Sequence, residues 1–200
     1  MNFGLWGQPQ SSRIAFSAAC AALARSVADA AGMPLRTAEA VRESCLAPGA
    51  HAVAERVGSS VLDLGCGCGD QLPLWAAEYD VRSISACTPE QRQVIAAASS
   101  YSHALVSCNN NFQFESALRR CSSCSVADGC QMRVECCDAD SMLQRVHGTV
   151  FDFCVAVDSA YHFPRKRRLL HAVAGCLKDG GAFAFSDMLL QQVSASCRVF

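Results

Sequence analysis

Residues 60–71 read Ser-Val-Leu-Asp-Leu-Gly-Cys-Gly-Cys-Gly-Asp-Gln, and this stretch decides the fold. Its first half is an apolar run interrupted by Asp63, which is typical of a buried parallel strand. Glycine then occupies every second position, at Gly65, Gly67 and Gly69, which predicts a sharp turn leading into a helix. Such a turn either brings the backbone close to a ligand or serves only as a tight connection.

The glycine spacing separates two classes of cofactor. Dinucleotide sites carry Gly-x-Gly-x-x-Gly, whereas this chain has Gly-x-Gly-x-Gly with an acid two residues before the first glycine. An acid at that point repels a pyrophosphate and suits a ligand with a cationic amine. The pattern resembles motif I of the class I S-adenosylmethionine (SAM)-dependent methyltransferases. That resemblance implies that Asp63 supports the loop and the amino end of the methionine moiety. It also implies cofactor contacts along the loop, at Gly65, Cys66, Gly67 and Gly69.

Length and composition restrict the class of protein. The 200 residues fit one α/β domain, and the net charge of −1 gives no global field that would favour nucleic acid. No apolar run is long enough to span a bilayer. Many of the 14 cysteines lie among apolar or small residues, where cysteine acts as a small hydrophobe. We therefore expect a reduced, cytoplasmic protein, while the absence of acids before Asp29 leaves a mitochondrial transit peptide open.

The end of the second expected strand, at residues 81–86, departs from dinucleotide sites. Those sites place an acid there for the ribose hydroxyls, but this chain continues Ala-Cys-Thr-Pro-Glu-Gln. The segment resembles the methyltransferase branch that contains sterol and tocopherol methyltransferases and cyclopropane fatty-acid synthases. The resemblance implies a cofactor contact from Gln91 and backbone contacts from Ala86 and Cys87. The same Thr-Pro-Glu sequence is also a good helix start, and both interpretations can hold.

An Asp-Ala pair follows the third expected strand, at residues 132–137. In the family such a pair faces the adenine, so the resemblance implies that Asp138 accepts a hydrogen bond from the exocyclic amine, beside Ala139. An aspartate at a strand-to-helix turn is also a common helix cap. The sequence alone leaves both interpretations open.

Residues 150–158 are the strongest strand signal after the glycine stretch, and Ser-Ala-Tyr-His-Phe follows them. This resembles the family's fourth strand and the segment after it. Parallel α/β sheets bind ligands where the strand order reverses, so we expect residues 63–69 and 158–162 to face one crevice. The implied reaction moves a methyl group to a small organic acceptor. Tyr161 would line the methyl group, and His162 or Asp158 would remove a proton.

The expected fold is α/β: a Rossmann-like methyltransferase domain with a mostly parallel sheet and helices on both faces. We expect an N-terminal helical segment at residues 1–57 that acts as a lid, and a SAM-binding domain at residues 58–200. An insertion at about residues 100–130 holds the Cys121–Cys124 pair, a half-site for zinc. No second half follows at the usual spacing, so no metal is expected.

The C-terminal part departs from the family. A helix starting at Pro164 is expected to end at Gly180-Gly181, followed by a fifth strand at residues 182–186. Too few residues follow for the family's last strands, because a crossover alone needs about a dozen. The sequence therefore predicts a shortened member whose fifth strand is a bare edge, prone to self-association. The alternative function is a non-catalytic SAM-binding or partner subunit.

Overall fold

The computed structural model describes residue 4 and residues 15–37, 58–89, 115–117, 119–120 and 130–188. Five strands form one parallel sheet: β1 (Ser59–Leu64), β2 (Val81–Thr88), β3 (Gln131–Cys136), β4 (Phe151–Ala156) and β5 (Leu177–Phe185). Their order is β3-β2-β1-β4-β5, so the sheet grows one way from β1 to β3 and the other way through β4. The order reverses between β1 and β4, which confirms the Rossmann-like fold class and sets the ligand-binding edge there.

Helices cover both faces of the sheet, as the apolar strands require. Four helices of the described part pack around the sheet: α1 (Phe16–Ala31), α2 (Gln71–Glu78), α3 (Ala139–Arg145) and α4 (Lys166–Ala174), with a 3-10 turn at Ala160–His162. Residues 115–117 and 119–120 are helical as well. Val61 packs into a core with α1 and α2, while its neighbour Leu62 packs into a second core with α3 and α4. The alternation of side chains along β1 therefore separates the two layers.

Helix α1 is fastened to α2 by polar contacts as well as apolar ones. The fully buried Trp75 donates its indole N–H to the Ala24 carbonyl over 3.3 Å, and the Tyr79 hydroxyl donates to Asp29 over 2.8 Å. Gly32 ends α1 in the left-handed conformation, with φ of 75°. The lid role of residues 1–57 and the division of the chain at residue 57 stay predictions, since residues 38–57 lie outside the described part.

The boundary between α4 and β5 differs from the sequence prediction. The helix ends at Ala174, and β5 already begins at Leu177, so the Gly180-Gly181 pair lies inside the strand. Leu177 pairs with Phe151, and the register with β4 then shifts before Phe153 meets Ala182. Gly180, with φ of 78°, accommodates that irregularity. The prediction was wrong because this glycine pair lies in an irregular part of the strand and not at a helix end.

The described residues contain no helix that is long and apolar enough to cross a membrane. In the described sheet, β3 and β5 are the two outer strands. Phe185 on β5 stacks on Phe183 and is about half exposed, and Met188 just beyond the strand is exposed as well.

Candidate functional site

The glycine loop that follows β1 has a conformation that other residues rarely adopt. Gly65, Gly67 and Gly69 have φ values of 92°, 56° and 74°. Glycine reaches this region without the steric cost of a Cβ atom. The backbone N–H groups of Gly65 and Cys66 both donate to the Cys87 carbonyl, over 3.0 and 2.8 Å. The loop is thereby bonded to the end of β2.

Asp63 lies fully buried beneath this loop. Its Oδ2 accepts a hydrogen bond from Gln71 Nε2 at 2.8 Å, and the same nitrogen lies 3.2 Å from the Cys66 carbonyl. Its Oδ1 is buried without a hydrogen-bond partner among the described residues. Burial raises the pKa of Asp63 to about 7, although the Gln71 hydrogen bond acts in the opposite direction. Gln71, which sequence reasoning missed, therefore links the acid to the loop.

The end of β4 packs directly against the glycine loop. The buried Ser159 donates its hydroxyl to the Leu64 carbonyl over 2.7 Å. A Cβ atom on Gly65 would lie only 2.7 Å from the Ser159 Cβ, a distance that real side chains do not tolerate. The structure thus brings residues 63–69 and 158–162 to one crevice, as the sequence predicts. Ser159 itself is a contact that sequence reasoning did not single out.

Asp158 is the one non-glycine residue with positive φ among the described residues, at 51°. Its backbone N–H donates to Ser186 Oγ over 2.6 Å, which holds the turn after β4 in place. The pKa of Tyr161 is raised by burial and, to a smaller extent, by the charge of Asp158 and a hydrogen bond to it. The Tyr161 and His162 rings lie 4.2 Å apart between centroids. The three predicted catalytic side chains are therefore neighbours.

A cavity of about 450 Å³ opens at the carboxyl ends of the strands. Such a volume suits a small organic ligand. The predicted site residues that line it are Gly65, Gly67, Cys87, Asp138, Ala139, Asp158 and His162.

The other predicted site residues either do not line the cavity or lie outside the described part of the chain. Asp63 and Ala86 are register partners on β1 and β2, and both are fully buried. Cys66, Gly69 and Tyr161 do not line the cavity either. Gln91 lies outside the described residues.

Asp138 has the capping role that its position after β3 suggests. Its Oδ1 accepts a hydrogen bond from the Ser141 backbone N–H at 2.7 Å, at the start of α3. That hydrogen bond lowers the pKa of Asp138. The cap fixes the carboxyl group at the cavity wall, while its contact with an adenine amine stays a prediction.

One ion pair at the cavity was not foreseen. Asp140 and Arg165 both line the cavity, and their side chains lie 3.2 Å apart. The pair joins the first turn of α3 to the residue that precedes α4. The basic run at residues 165–168, to which Arg165 belongs, is exposed. The one signal that the sequence offered for Arg165 is its place in this basic run.

In the part of the chain that the structure describes, no group of His, Cys, Asp or Glu side chains has the arrangement of a metal site. Cys121 and Cys124 lie outside that part. Cys130 is buried, and Cys136 and Cys137 lie at the end of β3, where a strand was expected.

Comparison with known proteins gives one broad match and several partial ones. A family model described as a methyltransferase domain matches residues 34–196. An O-methyltransferase from Pyrenophora dematioidea is 26% identical over 133 residues, which cover 66% of this chain and 40% of that protein.

Solved structures give weaker similarities. An O-methyltransferase family protein from Burkholderia thailandensis has a TM-score of 0.49 and 14% identity, and the match covers 90% of this chain and 43% of that one. An arsenic(III) S-adenosylmethionine methyltransferase from Chlamydomonas reinhardtii has a TM-score of 0.48 and 20% identity, with coverage of 82% and 48%. The chain thus spans less than half the length of these proteins. Because the family model matches most of the chain, including the glycine loop, the chain belongs to the methyltransferase domain family.

Proposed function

We propose that this chain binds SAM and transfers its methyl group to an oxygen atom of a small organic acceptor. The observation that carries the proposal is the single cavity shared by the glycine loop and the segment after β4. The O-methyltransferase relative supports oxygen as the accepting atom. A cavity of about 450 Å³ supports a small acceptor.

The residues present fit SAM on two observations. The loop between β1 and α2 has no side chain at Gly65 and Gly67, both of which line the cavity, so a ligand can approach the backbone closely. The buried Asp63 beneath it keeps one oxygen without a partner in the described part. Asp138 and Asp158 also line the cavity. These acids suit a cofactor that carries a sulfonium and an ammonium group.

A dinucleotide fits less well. The glycine spacing differs from the dinucleotide fingerprint, and β2 ends in Cys87 and Thr88, without the acid that would accept ribose hydroxyls. The buried Asp63 would also lie close to a pyrophosphate on this loop and repel it.

The cofactor supplies a methyl group that is already electrophilic, so the chain's main task is alignment of the reacting atoms. His162 lines the cavity and would take the proton of an acceptor hydroxyl, with Asp158 as the other candidate base. Tyr161 contacts both residues but does not line the cavity. We therefore assign Tyr161 to holding Asp158 and the His162 ring in place.

Two finer hypotheses remain proposals. Kinship with the sterol and tocopherol methyltransferase branch depends on Gln91, which lies outside the described residues. Self-association would use β5, an outer strand of the described sheet that carries the exposed Phe185. Sedimentation of wild type and of Phe185→Lys tests the second hypothesis, because a charge on an edge strand opposes pairing.

The proposed function is tested by binding and transfer measured separately. Calorimetric titration with SAM and S-adenosylhomocysteine should show binding to wild type and at least about tenfold weaker binding to Asp63→Ala, which loses a buried polar contact. Radiolabelled methyl transfer to a panel of small hydroxylated acceptors should then fall by about a hundredfold or more in His162→Ala. His147→Ala, which removes an exposed histidine away from the cavity lining, is the matched control.

The outcomes separate the candidate functions. Well-folded wild type that ignores millimolar SAM contradicts the proposal. Binding without transfer to any acceptor would favour the non-catalytic, SAM-binding subunit.

A further inference from the structure

The long connection between β2 and β3 contributes residues to the back of the glycine loop. Its residues 115–117 and 119–120 are helical, and Ala117 is fully buried in the same core as Cys66 and Leu72. A Cβ atom on Gly69 would lie 2.9 Å from both the Cα and the Cβ of Ala117. The third glycine of the loop is therefore required by contact with this connection.

Arg120, from the same connection, makes a charged contact with the glycine loop. Its Nη1 donates to the Cys68 carbonyl over 2.9 Å, and its Nη2 lies 2.6 Å from Asp70 Oδ1. One planar guanidinium thus holds the loop at two points that flank Gly69. Hydrogen bonds from an ionised donor are stronger than neutral ones, and the rigid fork of arginine fixes both partners together.

We propose that Arg120 is a positioning residue that holds the glycine loop in its cofactor-binding conformation. Ala117 and Arg120, from the connection between β2 and β3, then support the SAM site. This inference rests on the proposed function, because it assigns the reason for the contact to the same loop and ligand.

The physical reason lies in the cost of ordering the loop. Three glycines at alternate positions give the free loop many conformations, and only one of them has the φ values seen here. A ligand that binds one conformation loses apparent affinity in proportion to the fraction of time that the loop spends elsewhere. Because Arg120 makes its bonds to the protein and not to the ligand, it raises the population of the binding conformation before the ligand arrives.

Calorimetric titration with S-adenosylhomocysteine tests the inference. Arg120→Met should weaken binding about tenfold, the loss expected for a hydrogen bond from a charged group. Arg120→Lys should recover part of that loss, because one ammonium keeps the charge but does not reproduce both bonds. Asp70→Asn, which removes the ion pair and leaves the Cys68 contact, should cost about threefold.

The neighbouring Arg119 provides the matched control. It pairs with Glu115 over 3.8 Å, and its side chain is 71% exposed. Arg119→Met removes the same charge from the same segment and should keep the affinity within about twofold of wild type.

A second measurement reports on the loop itself. Hydrogen exchange of the ligand-free protein should be faster across residues 65–70 in Arg120→Met than in wild type or Arg119→Met. Saturation with S-adenosylhomocysteine should reduce that difference.

The outcomes distinguish the inference from the proposed function. Wild type that binds neither SAM nor S-adenosylhomocysteine overturns both. If wild type binds and Arg120→Met binds with equal affinity, the inference alone is overturned. The same holds if the hydrogen exchange of residues 65–70 is unchanged in Arg120→Met. If Arg120→Met does not fold, the partly exposed Asp70→Asn decides, and wild-type affinity in that variant overturns the inference.

Discussion

The Ser159 hydroxyl donates a hydrogen bond to the Leu64 carbonyl over 2.7 Å, which joins the ends of the first and fourth strands. The two residues are 95 positions apart in the sequence. They meet where the strand order reverses, and the Cβ of Ser159 occupies the space that a side chain at Gly65 would need. The two strand ends that border the crevice are therefore joined directly by a hydrogen bond.

Ser159→Ala should lower the free energy of unfolding by about 1–2 kcal/mol, because the buried Leu64 carbonyl loses its donor. It should also weaken SAM binding several-fold, since the residue before the glycine loop loses the hydrogen bond that holds it in place. Urea denaturation and calorimetry measure the two effects. Ser60→Ala is the control: its hydroxyl bonds Asp152 near the amino end of β1. That variant should lose stability without losing affinity.

Two glycines with similar backbone angles allow a direct test of the loop. Gly65 and Gly148 have φ values of 92° and 83°, but a Cβ atom on Gly148 would meet nothing within 4 Å. Both alanine variants should lose about 1–2 kcal/mol of stability from the left-handed backbone, and Gly65→Ala should lose more because of its clash with Ser159. Only Gly65→Ala should abolish SAM binding, because its new methyl group meets Ser159. Equal affinities in the two variants would show that the loop does not contact the cofactor.

The buried Asp63 predicts a pH dependence of stability. Its pKa in the folded protein is about 7, above its ordinary value of 3.8, because burial disfavours the charged carboxylate. The folded state therefore holds the proton more tightly, and its advantage is complete below pH 4 and lost as the pH rises through 7. Between pH 5 and pH 8 the group should lower the free energy of unfolding by roughly 2–3 kcal/mol. Denaturation of wild type and Asp63→Asn across this range should show the decline in wild type alone.

Two further variants check that assignment. Gln71→Met removes the hydrogen bond that lowers the pKa of Asp63, so the decline should move to higher pH. Burial alone would raise the pKa of Asp152, but hydrogen bonds from Lys178 and Ser60 outweigh it and lower that pKa. Asp152 therefore contributes stability above pH 4 that is lost only at lower pH. Asp152→Asn should be less stable at neutral pH yet keep the wild-type slope from pH 5 to pH 8, and parallel curves for all variants would exclude Asp63 as the source.

The strands and the glycine loop were predictable because their signals are local. A buried parallel strand is a short apolar run, and alternate glycines mark a turn that needs positive φ. The end of α4 was not predictable, since the place of Gly180 inside β5 depends on pairing with β4. Pairing with β4 therefore determined where β5 begins, although the glycine pair is a local signal for the end of a helix.

The candidate site was predictable only where a motif carried it. Gln71 and Ser159 lie within the two stretches that resemble the family but have no role that the sequence assigns, and Arg120 lies outside both stretches. Their importance comes from burial beside the loop or from contact with it, which only the folded chain creates. The geometry of Asp158 also had no local signal, because a positive φ at aspartate depends on the turn around it.

Two substitutions at Asp158 separate the effect of its left-handed backbone from the role of its carboxylate. Asparagine tolerates the left-handed conformation about as well as aspartate, so Asp158→Asn should keep stability within about 0.5 kcal/mol. Its SAM affinity should fall only by the effect of losing one negative charge at the cavity. Alanine does not tolerate that conformation as well, and Asp158→Ala should lose about 1–2 kcal/mol of stability. If the carboxylate assists proton removal, both variants should lower methyl transfer about tenfold or more. Thermal unfolding, calorimetry and radiolabelled transfer measure the three quantities. Transfer at the wild-type rate in Asp158→Asn would leave His162 as the base and restrict Asp158 to shaping the turn.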